Sequence, residues 1–453
     1  VNGTLTANGE NSPASQEASG GGSGGGIYIQ CRTFGGTGTI RANGGSGHTS
    51  WAGGGGGGRI AVYFDEASSP TIQFSASDGN GKNSGRPGTL MLSQFDGVLP
   101  ETWFGGLELW TNAWSPNSFT LSNSALGVFR PGFALNVTGA VQLLSGARME
   151  LGTNAALNCA NLALSGSSWL WLYTNAVLNC TNLNLSSSTL GLSANVVGDL
   201  NGGDLSLTGS TTYVYAQAGF TNVDEISLTG NSTMYTYCNS TSGVPPRPFF
   251  ASNFLLASGS VVNANSGGYG SVAYGSGYGP GGGNQGGVTG SGGGYGGRGG
   301  NNQDGTPGGI TNGSAAYPIE PGSGGGGAAN NGPGGNGGGA IRIEAGNTIT
   351  VNGSITANGE NSPASQQASG GGSGGGIYLR CYTVNGTGLL RANGGSASIS
   401  YGGGGGGGRI AVRCSYNHYF GTCSVTNGTG YQSGQVGTIC WRIHGPGTLM
   451  SVW

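Results

Sequence analysis

The chain has 453 residues, of which 103 are Gly and 16 are Pro, while charged residues make up only 7% and the net charge is −2. So few cations exclude the basic face that counterion-driven nucleic-acid binding requires, and no apolar run reaches the ~18 residues of a membrane span. Such glycine content without a collagen period reads by composition as low complexity, but repetition of the text argues for a packed structure.

Residue 1 lies in a polar segment with no signal peptide, so any export signal has been removed or lies outside the chain. Residues 1–62, VNGTLTANGENSPASQEASGGGSGGGIYIQ… to GGGGGGRIAV, return at 351–412 with 47 of 62 positions identical. The match continues from 74–91 into 423–440. In both copies polyglycine runs into short apolar words, IYI, IYL and IAV, each one strand edge long, and ANGG and VNGT read as tight turns. Polyglycine in an extended threefold helix rises ~3.1 Å per residue, like polyproline II. Without Cβ atoms such helices can pack at close range and bond N–H to C=O between segments. Tracts such as Gly53–Gly58 and Gly402–Gly408 are then ordered; the competing reading is a flexible linker.

Residues 93–254 carry a different period. The pairs Leu162/Leu164, Leu183/Leu185, Leu205/Leu207 and Ile226/Leu228 recur at 21, 22 and 21 residues, with Val141/Leu143 one step earlier. A second strand follows at Trp169/Trp171, Leu190/Leu192 and Tyr213/Tyr215, with Asn, Ser, Thr and Gly at the corners. This predicts a parallel β-solenoid whose coils stack ~4.8 Å apart, with the paired residues forming two interior columns. In a flat β-sandwich, the competing fold, the period would be fortuitous. A glycine-rich lead-in at 255–350 precedes the second copy at 351–453, whereas the first copy at 1–92 has none. Either a longer tandem protein was cut here, or a neighbouring chain supplies the missing half. The predicted fold is all-β: a parallel β-helix of about 21 residues per coil flanked by glycine-rich modules of short strands and packed polyglycine II helices.

The words GGGAIRI, VNGSITANG, SGGGSGGGIYL, LLRANGG and GGGGGGRIAV resemble the glycine-rich modules that recur in very large secreted and surface proteins of environmental bacteria. The resemblance covers roughly 1–92 and 255–441. It implies export, a repetitive architecture and surface or fibre roles, and it brings no catalytic residue with it. The solenoid portion resembles the stalks of secreted adhesins in architecture alone.

No enzyme is expected. Asp204 and Glu225 share a repeat phase, but Asn161 and Asn182 occupy the equivalent positions in earlier coils, which reads as a solvated polar ladder. His48, His418 and His444 are scattered, so neither a metal site nor a cofactor is expected. Cys159 and Cys180 stack one coil apart; Cys414, Cys423 and Cys440 replace Phe64, Phe74 and Met91 of the first copy. These five are expected to be buried thiols or partners in a disulfide. Trp103, Trp110 and Trp114, with Tyr269, Tyr274 and Tyr278, are candidates for an aromatic contact surface, or else cap the solenoid and cover glycine layers.

The expected function is a structural subunit of an extracellular or cell-surface filament, fibre or sheath, its partners being copies of itself joined head to tail through the duplicated modules. The alternative is an adhesin or carbohydrate-binding stalk segment of a giant cell-surface protein, with glycans or surface polymers as partners. Ice binding would want a regular Thr ladder, which Ser165 and Ser186 interrupt.

Overall fold

The computed structural model describes residues 1–13, 19–68, 71–93, 99, 101–103, 105–109, 112–328, 332–363, 368–398 and 400–444. These contain strands and turns and no helix. The chain divides into two compact units, residues 1–191 and 192–453.

In the first unit, parallel strands climb in rows. One row runs Gly26–Gly35, Arg59–Ser68, Thr89–Leu92, Leu107–Leu109, Leu126–Phe129, Arg148–Leu151 and Trp169–Leu172. A second runs Thr102–Trp103, Phe119–Leu121, Ala140–Leu143, Asn161–Ser165 and Asn182–Ser186. Ala113–Trp114, Ala134–Asn136, Ala156–Asn158 and Val177–Asn179 form a third. Thr4–Thr6, Thr39–Arg41 and Gln73–Ser75 make a separate three-stranded parallel sheet. The result is a solenoid-like, all-β fold.

The alternation of side chains dictates this arrangement. Leu162 lies against Leu183 and Leu164 against Leu185 in register, and all four are buried. Between these strands the chain turns through Ser167 and Asn175 with φ of 64° and 60°, left-handed conformations that the short polar side chains tolerate. At the corners Asn side chains stack. The Asn158 amide donates to Asn136 Oδ1 at 2.7 Å, and that of Asn179 to Asn158 Oδ1 at 2.6 Å. Trp169 and Trp171 point outward and stack at 5.5 Å, while Leu170 and Leu172 fill the interior of the same strand.

The second unit has the same construction. Val197–Thr208, Gly219–Thr229, Phe249–Leu256 and Ala340–Val351 pair in parallel. The last of these continues into Gly376–Arg380, Arg409–Cys414 and Thr438–Ile443. A second row runs Thr211–Val214, Thr233–Thr236, Val261–Asn263, Ser354–Thr356, Leu389–Arg391 and Thr422–Ser424. Val261–Asn263 pairs directly with Ser354–Thr356, so the glycine-rich lead-in leaves and re-enters the stack between two successive rungs. Strand pairing passes from the leucine-rich rungs into the second glycine module without interruption.

The interior leucine columns carry the rungs. Leu162→Ala should destabilise the first unit by about 2–5 kcal/mol in urea denaturation, through lost burial and an unfilled cavity. Asn158→Ala, which breaks the corner ladder at a half-buried site, should cost about 0.5–1.5 kcal/mol.

Candidate functional site: an uncovered glycine face

The duplicated module places nearly the same segment in two environments. In the second module the run 370–376 is wholly buried, as are Gly402–Gly408. Successive N–H groups point in three directions. Those of Gly371 and Gly374 donate to Gly403 and Gly406 of the next rung. Those of Gly372 and Gly375 donate to Glu360 and Ala357 of the neighbouring run. The third set turns sideways to the lead-in: Gly370 donates to Gly326 O at 2.9 Å, Ser373 to Ser323 O at 3.0 Å, Gly403 to Gly290 O at 3.1 Å and Gly406 to Gly293 O at 2.9 Å.

The first module repeats two of these directions and lacks the third. Gly21 and Gly24 donate to Gly53 and Gly56, and Gly22 and Gly25 donate to Glu10 and Ala7. The N–H groups of Gly20, Ser23, Gly53 and Gly56 have no partner among the described residues. Gly20, Gly22, Ser23, Gly25, Gly26 and Gly53 are exposed.

Steric room changes in the same way. A methyl group on Gly370, Gly403 or Gly406 would fall 1.9, 2.0 or 2.1 Å from a lead-in carbonyl oxygen. On Gly20, Gly53 or Gly56 it would meet its nearest atom at 3.4, 3.5 or 3.7 Å, an ordinary contact. Gly54, between two of these, has no such freedom, because its methyl would lie 1.8 Å from Gly79 O.

Larger side chains follow suit. Arg409 is buried; its Nε and Nη2 donate to Asn312 O at 3.0 and 2.9 Å, and its guanidinium lies over the Tyr295 ring at 5.4 Å. Tyr295 is fully buried and donates its hydroxyl to Glu320 at 3.1 Å; burial, followed by the Glu320 charge, holds its phenol well above the usual range. The counterpart of Arg409, Arg59, is exposed. Tyr378 is 3% exposed and packs edge-on against Tyr317 at 4.7 Å, whereas its counterpart Tyr28 is 66% exposed.

The other sequence candidates fall elsewhere. Trp103 and Trp114 do not form a contact surface: they are buried and stack on each other at 5.6 Å, with Phe119 edge-on to both. These rings fill the interior of the early rungs, where the leucine columns give way to larger side chains. Trp110 lies outside the described residues. Tyr269 is half-buried and donates to Ser242 O at 3.3 Å, while Tyr274 and Tyr278 are exposed. All eight cysteines are free thiols. Cys180 and Cys414 are buried, and Cys159, Cys423 and Cys440 are half-buried. A hydrogen bond with Cys180, together with burial, raises the Cys159 thiol. Burial pushes Cys423 up to about 11 and Cys381 up to about 12.

Among the described residues no group of three or more His, Cys, Asp or Glu side chains is placed to hold a metal ion. Asp204 accepts the Glu225 N–H at 3.2 Å, so one carboxylate of that ladder caps backbone. No described helix is long and apolar enough to cross a membrane. Compared with known proteins, the chain matches no family model, no curated protein and no solved structure.

Sequence reasoning had the alignment that leads to this face but not the face itself. The offset of 350 residues aligns the two modules; which glycines stay open in the first depends on the direction of each N–H.

Two outcomes are expected. Gly53→Ala should leave stability unchanged or raise it by about 0.4–1 kcal/mol, whereas Gly54→Ala should lower it by more than that, measured by thermal unfolding of the full chain. Iodoacetamide near pH 8 should label half-buried Cys31 well before Cys381, its buried counterpart, as followed by peptide mass spectrometry.

Proposed function

We propose that the chain is a structural subunit of an extracellular filament, fibre or sheath, in which copies join head to tail through the duplicated glycine-rich modules. In this reading the leucine rungs are a solenoid of about 21 residues per coil, and the glycine runs are packed polyglycine II helices. One observation carries it. In the second module Gly376–Arg380 is paired on both sides, by Ala340–Val351 and by Arg409–Cys414, but among the described residues its counterpart Gly26–Gly35 is paired on one side only. Among the described residues Thr4–Thr6 is likewise paired on one side, and so, within the second unit, is Thr438–Ile443.

Unpaired parallel edges are templates for strand addition. Here they carry apolar side chains: Leu5 on Thr4–Thr6, Tyr28 on Gly26–Gly35, and Ile439 and Ile443 on Thr438–Ile443, all exposed. A joint between two different edges is heterologous, and where its rotation does not close it propagates a filament. Export and surface location rest on the resemblance of the glycine-rich words to bacterial surface modules.

The second reading is an adhesin or carbohydrate-binding stalk segment of a giant cell-surface protein. It is favoured by Tyr274 and Tyr278, 56% and 41% exposed in the lead-in, since exposed rings stack on sugars.

Electron microscopy of the concentrated protein should show filaments, and Leu5→Asp or Ile439→Asp should abolish them while leaving thermal unfolding unchanged. Discrete monomers at every concentration would defeat the filament reading; glycan-array binding lost on Tyr274→Ala and Tyr278→Ala would favour the adhesin.

A further inference from the structure

We infer that the side face of the first module is a receptor for a glycine-rich donor segment of the 288–327 kind, whose carbonyl groups accept the N–H groups of Gly20, Ser23, Gly53 and Gly56. The inference goes beyond the assembly reading: it assigns a second surface of the first module and names the chemistry of the segment that covers it.

The complex is already present once in the molecule. In the second module the equivalent N–H groups of Gly370, Ser373, Gly403 and Gly406 bind Gly326, Ser323, Gly290 and Gly293. The return bonds run from Gly293 to Gly371 O at 2.9 Å and from Gly297 to Gly407 O at 2.8 Å. The first module keeps the receptor half of this contact. Of its donors Gly20, Ser23 and Gly53 are exposed and Gly56 is half-buried, none has a partner among the described residues, and Gly20, Gly53 and Gly56 are glycine although nothing in their own unit crowds a Cβ. Glycine costs about 0.5–1 kcal/mol relative to Ala in an extended segment, so three without an internal steric reason mark a surface that another backbone approaches closely. Arg59 and Tyr28 stand exposed where Arg409 and Tyr378 fasten the lead-in through Asn312, Tyr295 and Tyr317.

This face differs from the strand edges of the head-to-tail joint. It runs along the side of the module and reaches the second rung at Gly53 and Gly56, which lie beyond any strand added to Gly26–Gly35. Nor does the lead-in of a second copy serve as donor at rest. Residues 1–453 contain two receptor faces and one such segment, and that segment is held at home by buried Arg409 and Tyr295. The donor is therefore a further segment of the same chemistry: Gly and Ser wherever it faces the module, with an aromatic anchor for Arg59.

The test adds a synthetic peptide of residues 288–327 to the full chain and follows amide exchange by NMR or mass spectrometry. The peptide should slow exchange at Gly20, Ser23, Gly53 and Gly56 by about tenfold or more, with Gly370, Ser373, Gly403 and Gly406 unchanged. Gly53→Val with Gly56→Val, where the unit has room for a side chain, should weaken peptide binding by about tenfold or more without changing thermal unfolding; Arg59→Gln should weaken it too. A peptide carrying Gly292→Ala and Gly293→Ala should not bind, since each methyl would strike a carbonyl oxygen. Absence of protection, equal binding by the valine variant, or protection at the first module matched by loss at the second (lead-ins exchanging between copies) would each overturn the inference. Peptide binding by a chain that never forms filaments would uphold it and remove the head-to-tail reading. Filaments formed by a chain whose first module gains no protection from the peptide would do the reverse.

Discussion

The structure depends on the absence of a Cβ atom. In the second module, where glycine runs lie side by side, the position a methyl would take is occupied by a neighbouring carbonyl, as between Gly404 and Gly428 O, 2.2 Å from that point, or Gly408 and Gly375 O, also 2.2 Å. Backbones at that distance satisfy each other's polar groups in three directions, and so a segment with almost no side chains can be buried with most of its donors paired. The entropy glycine loses on ordering is offset by hydrogen bonds and close contact rather than by a hydrophobic core.

The leucine rungs solve the same ordering problem by other means. There the interior is apolar, the corners are held by left-handed Asn, Ser and Gly residues, and register is enforced because a slip of one residue would turn every leucine outward. Both solutions share one geometry, parallel strands stacked rung on rung, which is why Phe249–Leu256 can pair with Ala340–Val351 although one belongs to the leucine text and the other to the glycine text. Side-chain packing passes into backbone packing along the ladder of the second unit.

Much of this ladder was legible. The pairs around Leu162 and Leu183 announce an interior column, because alternation fixes a face and a constant spacing fixes a stack. Trp103 and Trp114 were harder: an aromatic residue in a short strand reads equally well as contact surface or core, and the interior won once Phe119 and Phe129 stood on neighbouring strands. The lateral contacts of the lead-in were not legible at all. Gly293 binds Gly371, and Gly297 binds Gly407, across separations that no local pattern encodes, since every glycine in the text looks alike. The open face emerges from comparing one segment in two surroundings, and from Gly53 and Gly54, identical neighbours with opposite steric fates.

The point where the lead-in enters and leaves has its own consequence. Gly339 donates to Ala264 O at 2.7 Å, and Val261–Asn263 pairs with Ser354–Thr356, so the whole excursion closes on itself at a single rung. Closing a longer excursion costs little more than closing a short one, since the entropy grows only with the logarithm of its length. Girth and axial rise are thereby separated: such a cassette can be thickened, trimmed or decorated by inserted text while the pitch of the ladder that carries it stays the same.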